Sequence, residues 1–339
     1  MDSMKIEALK ELLGTPKKII IVVHKNPDGD AIGSGLGLKH FLTQYGHTVE
    51  MIVPNEYPKF LKWLPGTKQV LNFEWETSKS KYLIKEAEVI FTLDFNHLSR
   101  TGNMESVLEN VDSDFVMIDH HQSPSDYASF MYSDVNMSST CEMVYHFIDK
   151  LNGLDKITPE IAACLYTGIM TDTGSFKFAS TSKTTHIVVA DLIDKGAQNH
   201  EIHQNVFDNN SPSRLHLLGV ALKNLVILEE YNTAFTYLTQ SELDQYGYSK
   251  GDTEGFVNYG LTLEKIVFAV IFIENTEEGI IKISFRSVGD FSVNEFARDN
   301  FNGGGHNNAA GGRSEKGMQE TIDTFVNLLP HYKDLLLSK

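Results

Sequence analysis

The sequence predicts an α/β protein. An N-terminal Rossmann-like parallel sheet flanked by helices leads through a helical linker into a smaller α/β domain. Three observations carry this expectation. Short apolar runs at residues 19–23, 89–93 and 115–118 are separated by stretches of helical pattern, as in a sheet covered on both faces. Each run delivers a polar group where the strand should end: His24, Asp94, and Asp119-His120-His121. From Thr233 onward the texture changes to strands and turns with fewer helices between them.

The elements follow in order. Residues 3–13 carry a helical pattern, with Ile6, Leu9, Leu12 and Leu13 on one face, and Gly14-Thr15-Pro16 ends it. The β-branched run 19–23 reads as a strand buried on both faces. It delivers His24 and then Asn26-Pro27-Asp28-Gly29-Asp30, and residues 31–37 read as a loop feeding a helix that runs to about Tyr45. Gly46 stops that helix and residues 48–53 form the next strand, completing a β-α-β unit. Residues 54–80, with Tyr57, Pro58, Trp63, Pro65 and Trp75, read as a loop with short helices. The strands ending at Asp94 and Asp119 come next. Helical patterns then span 140–151 and 159–170. The second leads into the polar turn Thr171-Asp172-Thr173-Gly174. A helix at 183–195 is stopped by Gly196, residues 200–213 are polar, and a helix is expected at 214–225. Beyond it lie expected strands at 234–238, 266–274 and 280–286, and a helix at 293–300. A glycine-rich loop at 301–312 and a helix at 320–329 complete the chain. The domain organisation expected is 1–200, a helical linker at 201–230, and 231–339.

Composition narrows the function. The 339 residues are 41% hydrophobic, which is ordinary for globular domains, and carry a formal net charge of -16. A protein that holds long duplex nucleic acid by neutralising phosphates shows a basic face, so long duplexes are excluded as the expected partner. A small or short phosphate-bearing substrate is not, because bound divalent cations can supply positive charge locally. The two cysteines, Cys141 and Cys164, read as buried thiols of a reduced compartment. No basic-then-apolar leader and no membrane-length apolar run stand in the chain. A cytoplasmic protein without a membrane partner is expected.

The chemistry lies at the strand ends. His24, Asp28 and Asp30 fall in one stretch, and two carboxylates one residue apart can address two neighbouring ions. Asp94 can bridge them, and His120 and Asp172 can complete the second ion. The expected sets are His24, Asp28 and Asp94 for one ion, and Asp30, Asp94, His120 and Asp172 for the other. Mixed nitrogen and carboxylate ligation suits Mn²⁺, with Mg²⁺ or Co²⁺ as substitutes. Two such ions about 3.5–4 Å apart activate water and clamp phosphate for in-line attack. Taken singly, each Asp reads as a turn or helix cap and each His as an isolated side chain. The metal reading rests on their convergence at one sheet edge. In the second half, Gly303, Gly304 and Gly305 let backbone approach phosphate closely, His306 can bond a phosphate or stack on a base, and Arg286 is a candidate phosphate clamp. A triple glycine alone favours a flexible loop beside a solvated histidine.

With these residues in place the chain resembles the DHH phosphoesterases that carry a DHHA1 domain, over almost its whole length. The motifs are His24 with Pro27-Asp28-Gly29-Asp30-Ala31-Ile32-Gly33-Ser34, Asp94 with Arg100-Thr101-Gly102, Asp119-His120-His121, and Thr171-Asp172-Thr173-Gly174. In the second half they are Glu254-Gly255-Phe256, Ser284-Phe285-Arg286-Ser287, and Gly303-Gly304-Gly305-His306 followed by Ala309-Ala310-Gly311. The resemblance implies a Mn²⁺-dependent phosphodiesterase or phosphatase with its active site in an interdomain cleft. It implies that Asp119 orients imidazoles, that His121 faces the substrate phosphate, and that Arg286, the glycine run and His306 grip the nucleotide. The stand-alone size looks like the short-oligonucleotide branch. That branch hydrolyses oligoribonucleotides or linear dinucleotides to mononucleotides and 3′-phosphoadenosine 5′-phosphate to AMP, by attack of a metal-activated hydroxide. Cleavage from either end, and monomer or homodimer, stay open. The alternatives are a cyclic di-AMP phosphodiesterase, a single-strand-specific exonuclease, a nucleotide-binding regulator without catalysis, and an RNA-binding module. The intact ligand set favours an enzyme.

Overall fold

The computed structural model describes residues 3–338 and divides the chain into two compact units, one ending at Asn209 and the other beginning at Asn210. The first contains α1 (Ser3–Leu12), β1 (Lys18–Val23), α2 (Gly29–Thr43), β2 (Thr48–Val53), β3 (Leu71–Asn72), α3 (Thr77–Lys85) and β4 (Val89–Leu93). It continues with α4 (Glu105–Leu108), β5 (Asp114–Asp119), β6 (Phe130–Ser133), α5 (Thr140–Lys150), α6 (Pro159–Asp172), α7 (Lys183–Asp194) and α8 (Asn199–Phe207). The second unit holds α9 (Pro212–Lys223), β7 (Val226–Leu228), β8 (Thr233–Leu238), α10 (Gln240–Gln245), β9 (Phe268–Asn275), β10 (Ile280–Ser287), α11 (Val293–Asn300), β11 (Gly304–His306), β12 (Ala309–Ser314) and α12 (Met318–Leu337).

The first sheet is parallel throughout, in the order β3-β2-β1-β4-β5-β6. Its β-branched runs follow from burial on both faces. Along β1, Ile19, Ile21 and Val23 enter one core, while Ile20 and Val22 enter the core on the opposite face. The strand order reverses between β1 and β4, the place where open α/β sheets bind ligands at their carboxyl ends. Register brings those ends level: Val23 pairs with Leu93, and Leu93 with Ile118. His24, Asp94 and Asp119 therefore emerge along one sheet edge.

The second sheet is mixed, in the order β11-β12-β10-β9-β8-β7, with β8 and β9 parallel and the other pairs antiparallel. Its two faces are also filled. Phe268, Val270 and Phe272 of β9 point into an aromatic core with Phe285, Phe296 and Phe325, while Ala269 and Ile271 face Leu217, Leu238 and Phe256. Residues 201–230 divide between the units: Ile202 packs in the first core, Leu217 and Ala221 in the second.

Several elements depart from the expected boundaries. Residues 31–37 are not a loop, because α2 begins at Gly29. Asp28 is its cap and accepts the N–H groups of Asp30 and Ala31, so the apparent Asp-Gly-Asp turn is a helix start. Helix α6 runs on through Asp172, which is its last residue rather than part of a turn. The polar stretch after His200 contains α8, anchored by buried Ile202. The glycine-rich loop is a hairpin of β11 and β12. Helix α12 continues past Pro330, because Ile322, Phe325, Leu329 and Leu336 form one buried stripe. That packing outweighs the roughly 3 kcal/mol an interior proline costs a helix. Among the described residues no helix is long and apolar enough to cross a membrane.

Candidate metal centre

Six side chains from five segments of the first unit converge at the ends of β1, β4 and β5. His24 follows β1, Asp94 follows β4, and His120 follows β5. Asp28 and Asp30 arrive on the first turn of α2, and Asp172 on the last turn of α6. Asp94 adopts a left-handed backbone (φ 66°), which Asp tolerates better than most residues.

Asp94 divides its carboxylate between two groups. Its Oδ2 lies 3.4 Å from His24 Nε2, which is 3.8 Å from Asp28 Oδ2. Its Oδ1 lies 3.6 Å from His120 Nε2, which is 3.8 Å from Asp30 Oδ2 and 3.5 Å from Asp172 Oδ2. The donor atoms of His24, Asp28 and Asp94 lie within 4.8 Å of one another, as do those of Asp30, His120 and Asp172. The structure thus brings the six residues expected to hold metal to one place; the second cluster within 4.8 Å is Asp30, His120 and Asp172, with Asp94 beside it at 3.6 Å from His120 Nε2.

Hydrogen bonds set the imidazoles. His24 Nδ1 lies 2.9 Å from the Lys25 carbonyl and His120 Nδ1 3.2 Å from that of Met137. A carbonyl only accepts, so Nδ1 carries a proton in both rings and Nε2 is the nitrogen turned toward the carboxylates. His121 Nδ1 lies 2.7 Å from Asp119 Oδ1. Asp119 is fully buried, its Oδ2 makes no hydrogen bond among the described residues, and Asp94, Asp119 and His121 also offer donor atoms within 4.8 Å of one another.

The electrostatics fit a cation. Burial, reinforced by the neighbouring charges of Asp30 and Asp28, holds the Asp94 carboxyl well above the usual range. Burial raises Asp30, and it raises Asp172 to about 7 against the pull of His120. Burial would lower His120, but Asp172, Asp30 and Asp94 outweigh it and hold the imidazole at about 9. A proton on His120 and a divalent cation therefore compete for Nε2. A cation relieves the carboxylate repulsion more fully, and the oxygen and imidazole donors suit such an ion.

Backbone groups complete the frame, and side-chain motifs gave no sign of them. Asp30 Oδ2 accepts from the Thr140 N–H at 2.6 Å and Oδ1 from the Cys141 N–H at 2.8 Å, so its carboxylate sits on the N-terminus of α5. The Thr140 hydroxyl donates to Asp94 Oδ1 at 3.1 Å. Close packing of α2 on α6 places Asp30 and Asp172. A Cβ on Gly29 would fall 2.2 Å from Thr171 Oγ1, and one on Gly33 would fall 2.5 Å from Cys164 O. The Ser139-Thr140 helix start was the only signal that could have pointed to Thr140.

In the second unit, Arg286 lies in β10 opposite Ala269 and Ala309, and its guanidinium donates to the Phe285 carbonyl at 3.0 Å. The glycines of the hairpin have separate reasons. A Cβ on Gly303 would meet Gly311 O at 2.0 Å and one on Gly305 would meet Ala309 O at 2.4 Å, whereas one on Gly304 meets nothing closer than 3.5 Å. The N–H groups of Gly303 and Gly305 are donated within the unit, to Ala297 O and Asn294 Oδ1. Pairing of β11 with β12 therefore accounts for the first and third glycines, and a flexible loop does not.

Comparison with known proteins follows this geometry. The DHH family N-terminal domain model matches residues 18–169, and the DHHA1 domain model matches 231–332. A Thermus thermophilus protein, described as the bifunctional oligoribonuclease and PAP phosphatase NrnA, is 32% identical over 308 residues, 90% of this chain and 86% of that one. The chain belongs to the DHH family. The Bacillus subtilis protein of the same description is 27% identical over 300 residues, 86% of this chain and 88% of that one. The crystal structure of an exopolyphosphatase-related protein from Bacteroides fragilis superposes with a TM-score of 0.96 at 41% identity, covering 99% of this chain and 98% of that one. DHH phosphoesterases are metal-dependent hydrolases, and the paired clusters at the end of the DHH sheet are groups able to hold metal.

Proposed function

We propose that this DHH protein is a Mn²⁺-dependent phosphoesterase. It hydrolyses short oligoribonucleotides or linear dinucleotides to mononucleotides, and 3′-phosphoadenosine 5′-phosphate to AMP. The observation that carries the reading is Asp94, whose two oxygens face two separate His–carboxylate clusters. Relatives named as oligoribonuclease and PAP phosphatase, matched over most of the chain, support the substrate class.

In this reading His24, Asp28 and Asp94 hold one ion, and Asp30, Asp94, His120 and Asp172 the other. When bound, paired divalent cations supply Lewis acidity at the phosphate and make water nucleophilic at neutral pH. The chain's own residues do the rest. Lys25 O and Met137 O hold His24 and His120 in the tautomer that offers Nε2. Asp119 fixes His121 through Nδ1, and in this reading the Nε2 edge of His121 meets a phosphate oxygen. We assign Arg286 to the phosphate, and Gly304 and His306, with Gly303 and Gly305 shaping the strand, to the nucleotide. With a formal charge of -16 the chain offers long nucleic acid little non-specific attraction, which favours short substrates.

The test is direct. Purified protein with Mn²⁺ is offered a diribonucleotide, a longer oligoribonucleotide, cyclic di-AMP and 3′-phosphoadenosine 5′-phosphate side by side. Turnover of the dinucleotide and the bisphosphate is expected, and both are lost in Asp94→Ala and His120→Ala. Preference for cyclic di-AMP, or undiminished hydrolysis by either variant, overturns the assignment.

A further inference from the structure

The stretch from Met137 to Cys141 touches three of the six candidate ligands. Its Met137 carbonyl holds His120, its Thr140 and Cys141 N–H groups hold Asp30, and its Thr140 hydroxyl reaches Asp94. These contacts orient a metal site only as well as the stretch itself is held. Ser139 caps α5, its hydroxyl accepting the Glu142 N–H at 3.0 Å. A Ser followed three residues later by Glu is the pattern of a capping box, in which the carboxylate returns to the N–H of the cap residue. Glu142 does otherwise. Its Oε2 accepts from the N–H of Ser138 at 3.4 Å, from the Ser138 hydroxyl, and from the Thr185 hydroxyl of α7 at 2.9 Å. Glu142 is only 1% exposed. A carboxylate that deep is costly unless its hydrogen bonds are made, and these bonds fasten the residue between Met137 and Ser139 to a different helix.

We propose that Glu142 is a positioning residue: it locks residues 137–141 to α7 and so sets the geometry of the ligand set formed by Asp30 and His120. The inference rests on the two-ion reading above. It also predicts selectivity. Among the described residues no hydrogen bond of the stretch goes to His24 or Asp28, which are held by Lys25 O and by the first turn of α2, and its one bond to Asp94 goes to Oδ1, the oxygen that faces His120, not to Oδ2, which faces His24. Loss of the lock therefore weakens one ion and spares the other.

The experiment is a calorimetric titration of the metal-stripped full chain with MnCl₂, with folding followed by circular dichroism. Wild type binds two ions. In Glu142→Ala one binding step weakens by roughly 10–100-fold, the effect of losing an outer-shell partner, and the other is unchanged. Glu142→Gln keeps an acceptor oxygen at the Oε2 position and turns an amide N–H₂ toward His146 Nε2, which is 3.8 Å from Oε1. It restores most of the affinity. Ser138→Ala, which removes one hydroxyl and little volume, weakens the same step severalfold. Equal weakening of both steps in Glu142→Ala, or wild-type affinity for both, overturns the proposal. If Glu142→Ala does not fold, Ser138→Ala decides it: wild-type affinity in that variant overturns the proposal. A wild-type chain that binds no Mn²⁺ overturns the two-ion reading and this inference with it, whereas normal wild-type binding with an insensitive variant overturns this inference alone.

Discussion

Asp94, which the proposed reading sets between two ions, sits in an unfavourable environment for a carboxylate. Burial and the charges of Asp30 and Asp28 act against its ionised form. A carboxyl held above its unfolded value stabilises the fold at low pH, and that contribution is lost as pH rises. At neutral pH, Asp94→Asn should therefore raise the melting temperature of the metal-free protein, each kcal/mol appearing as about 2–4 °C for a unit of this size. The same variant should lose about 10³-fold or more in turnover, because Asp94 would be a ligand of both ions in the proposed reading and those ions would supply several kcal/mol of charge stabilisation. Melting curves in chelator and a turnover assay in Mn²⁺ check the two halves; a destabilised or active variant contradicts the prediction. At this scale the candidate ligands were legible as titratable side chains: His24, Asp94 and His120 follow apolar runs that read as strands, while Asp28, Asp30 and Asp172 lie on helix ends and were marked only by their place in the sequence beside them. The Met137 carbonyl and the N–H groups of Thr140 and Cys141 were not legible, because every residue carries such groups and only the fold aims them. Glu142 was equally hidden, since a Glu in a helix's first turn is commonplace.

Elements that use backbone rather than side-chain chemistry were the hardest to read. β11 and β12 contain Gly304, Gly305, Gly311 and Gly312 in place of β-branched residues, so no strand pattern appears. The reason is close approach. Gly303→Ala drives a Cβ into Gly311 O and should lower stability, by about 1–3 kcal/mol as overpacking does. Gly304→Ala has room and should melt like wild type, so any rise in its KM reads on substrate alone. Thermal melts and Michaelis curves for the pair check this. Helix α10 offers a pH test away from the metal centre. Burial would raise Glu242, but hydrogen bonds from Asn224 and from Thr239 leave its carboxyl below the ordinary value. A depressed folded value gives stability that is full above the unfolded value, about 4.3, and is lost as pH falls through the folded one. Urea unfolding should show wild type more stable than Glu242→Gln at pH 6, with the gap closing as pH drops below about 4. A gap independent of pH contradicts it.

For the molecule as a whole, like charges gathered at one sheet edge link stability to cation. A ligand at 100 times its dissociation constant adds about 2.7 kcal/mol to the folded state. Saturating Mn²⁺ should therefore raise the melting temperature, by about 2–4 °C per kcal/mol, and chelation should reverse it. The first unit should respond, as it holds all six candidate ligands. No shift in the presence of Mn²⁺ contradicts the two-ion reading. The change of texture near residue 233 lies within the second unit, which begins at Asn210. The distribution of residues 201–230 was not legible, because whether a polar helix joins one core or another depends on single anchors such as Ile202 and Leu217.

The parallel sheet has a consequence for biosynthesis. Parallel neighbours cannot be joined by tight turns, so the ligands are spread along the first unit from His24 to Asp172. During translation at about 5–20 residues per second, Asp172 follows His24 by on the order of ten seconds. A nascent chain can present His24, Asp28 and Asp94 well before Asp172 has left the ribosome. In the proposed two-ion reading, the ion of the first set is captured co-translationally, while that of the second set waits until α6 has docked. Loading is then ordered by the direction of synthesis, and a chain arrested before α6 should retain one ion.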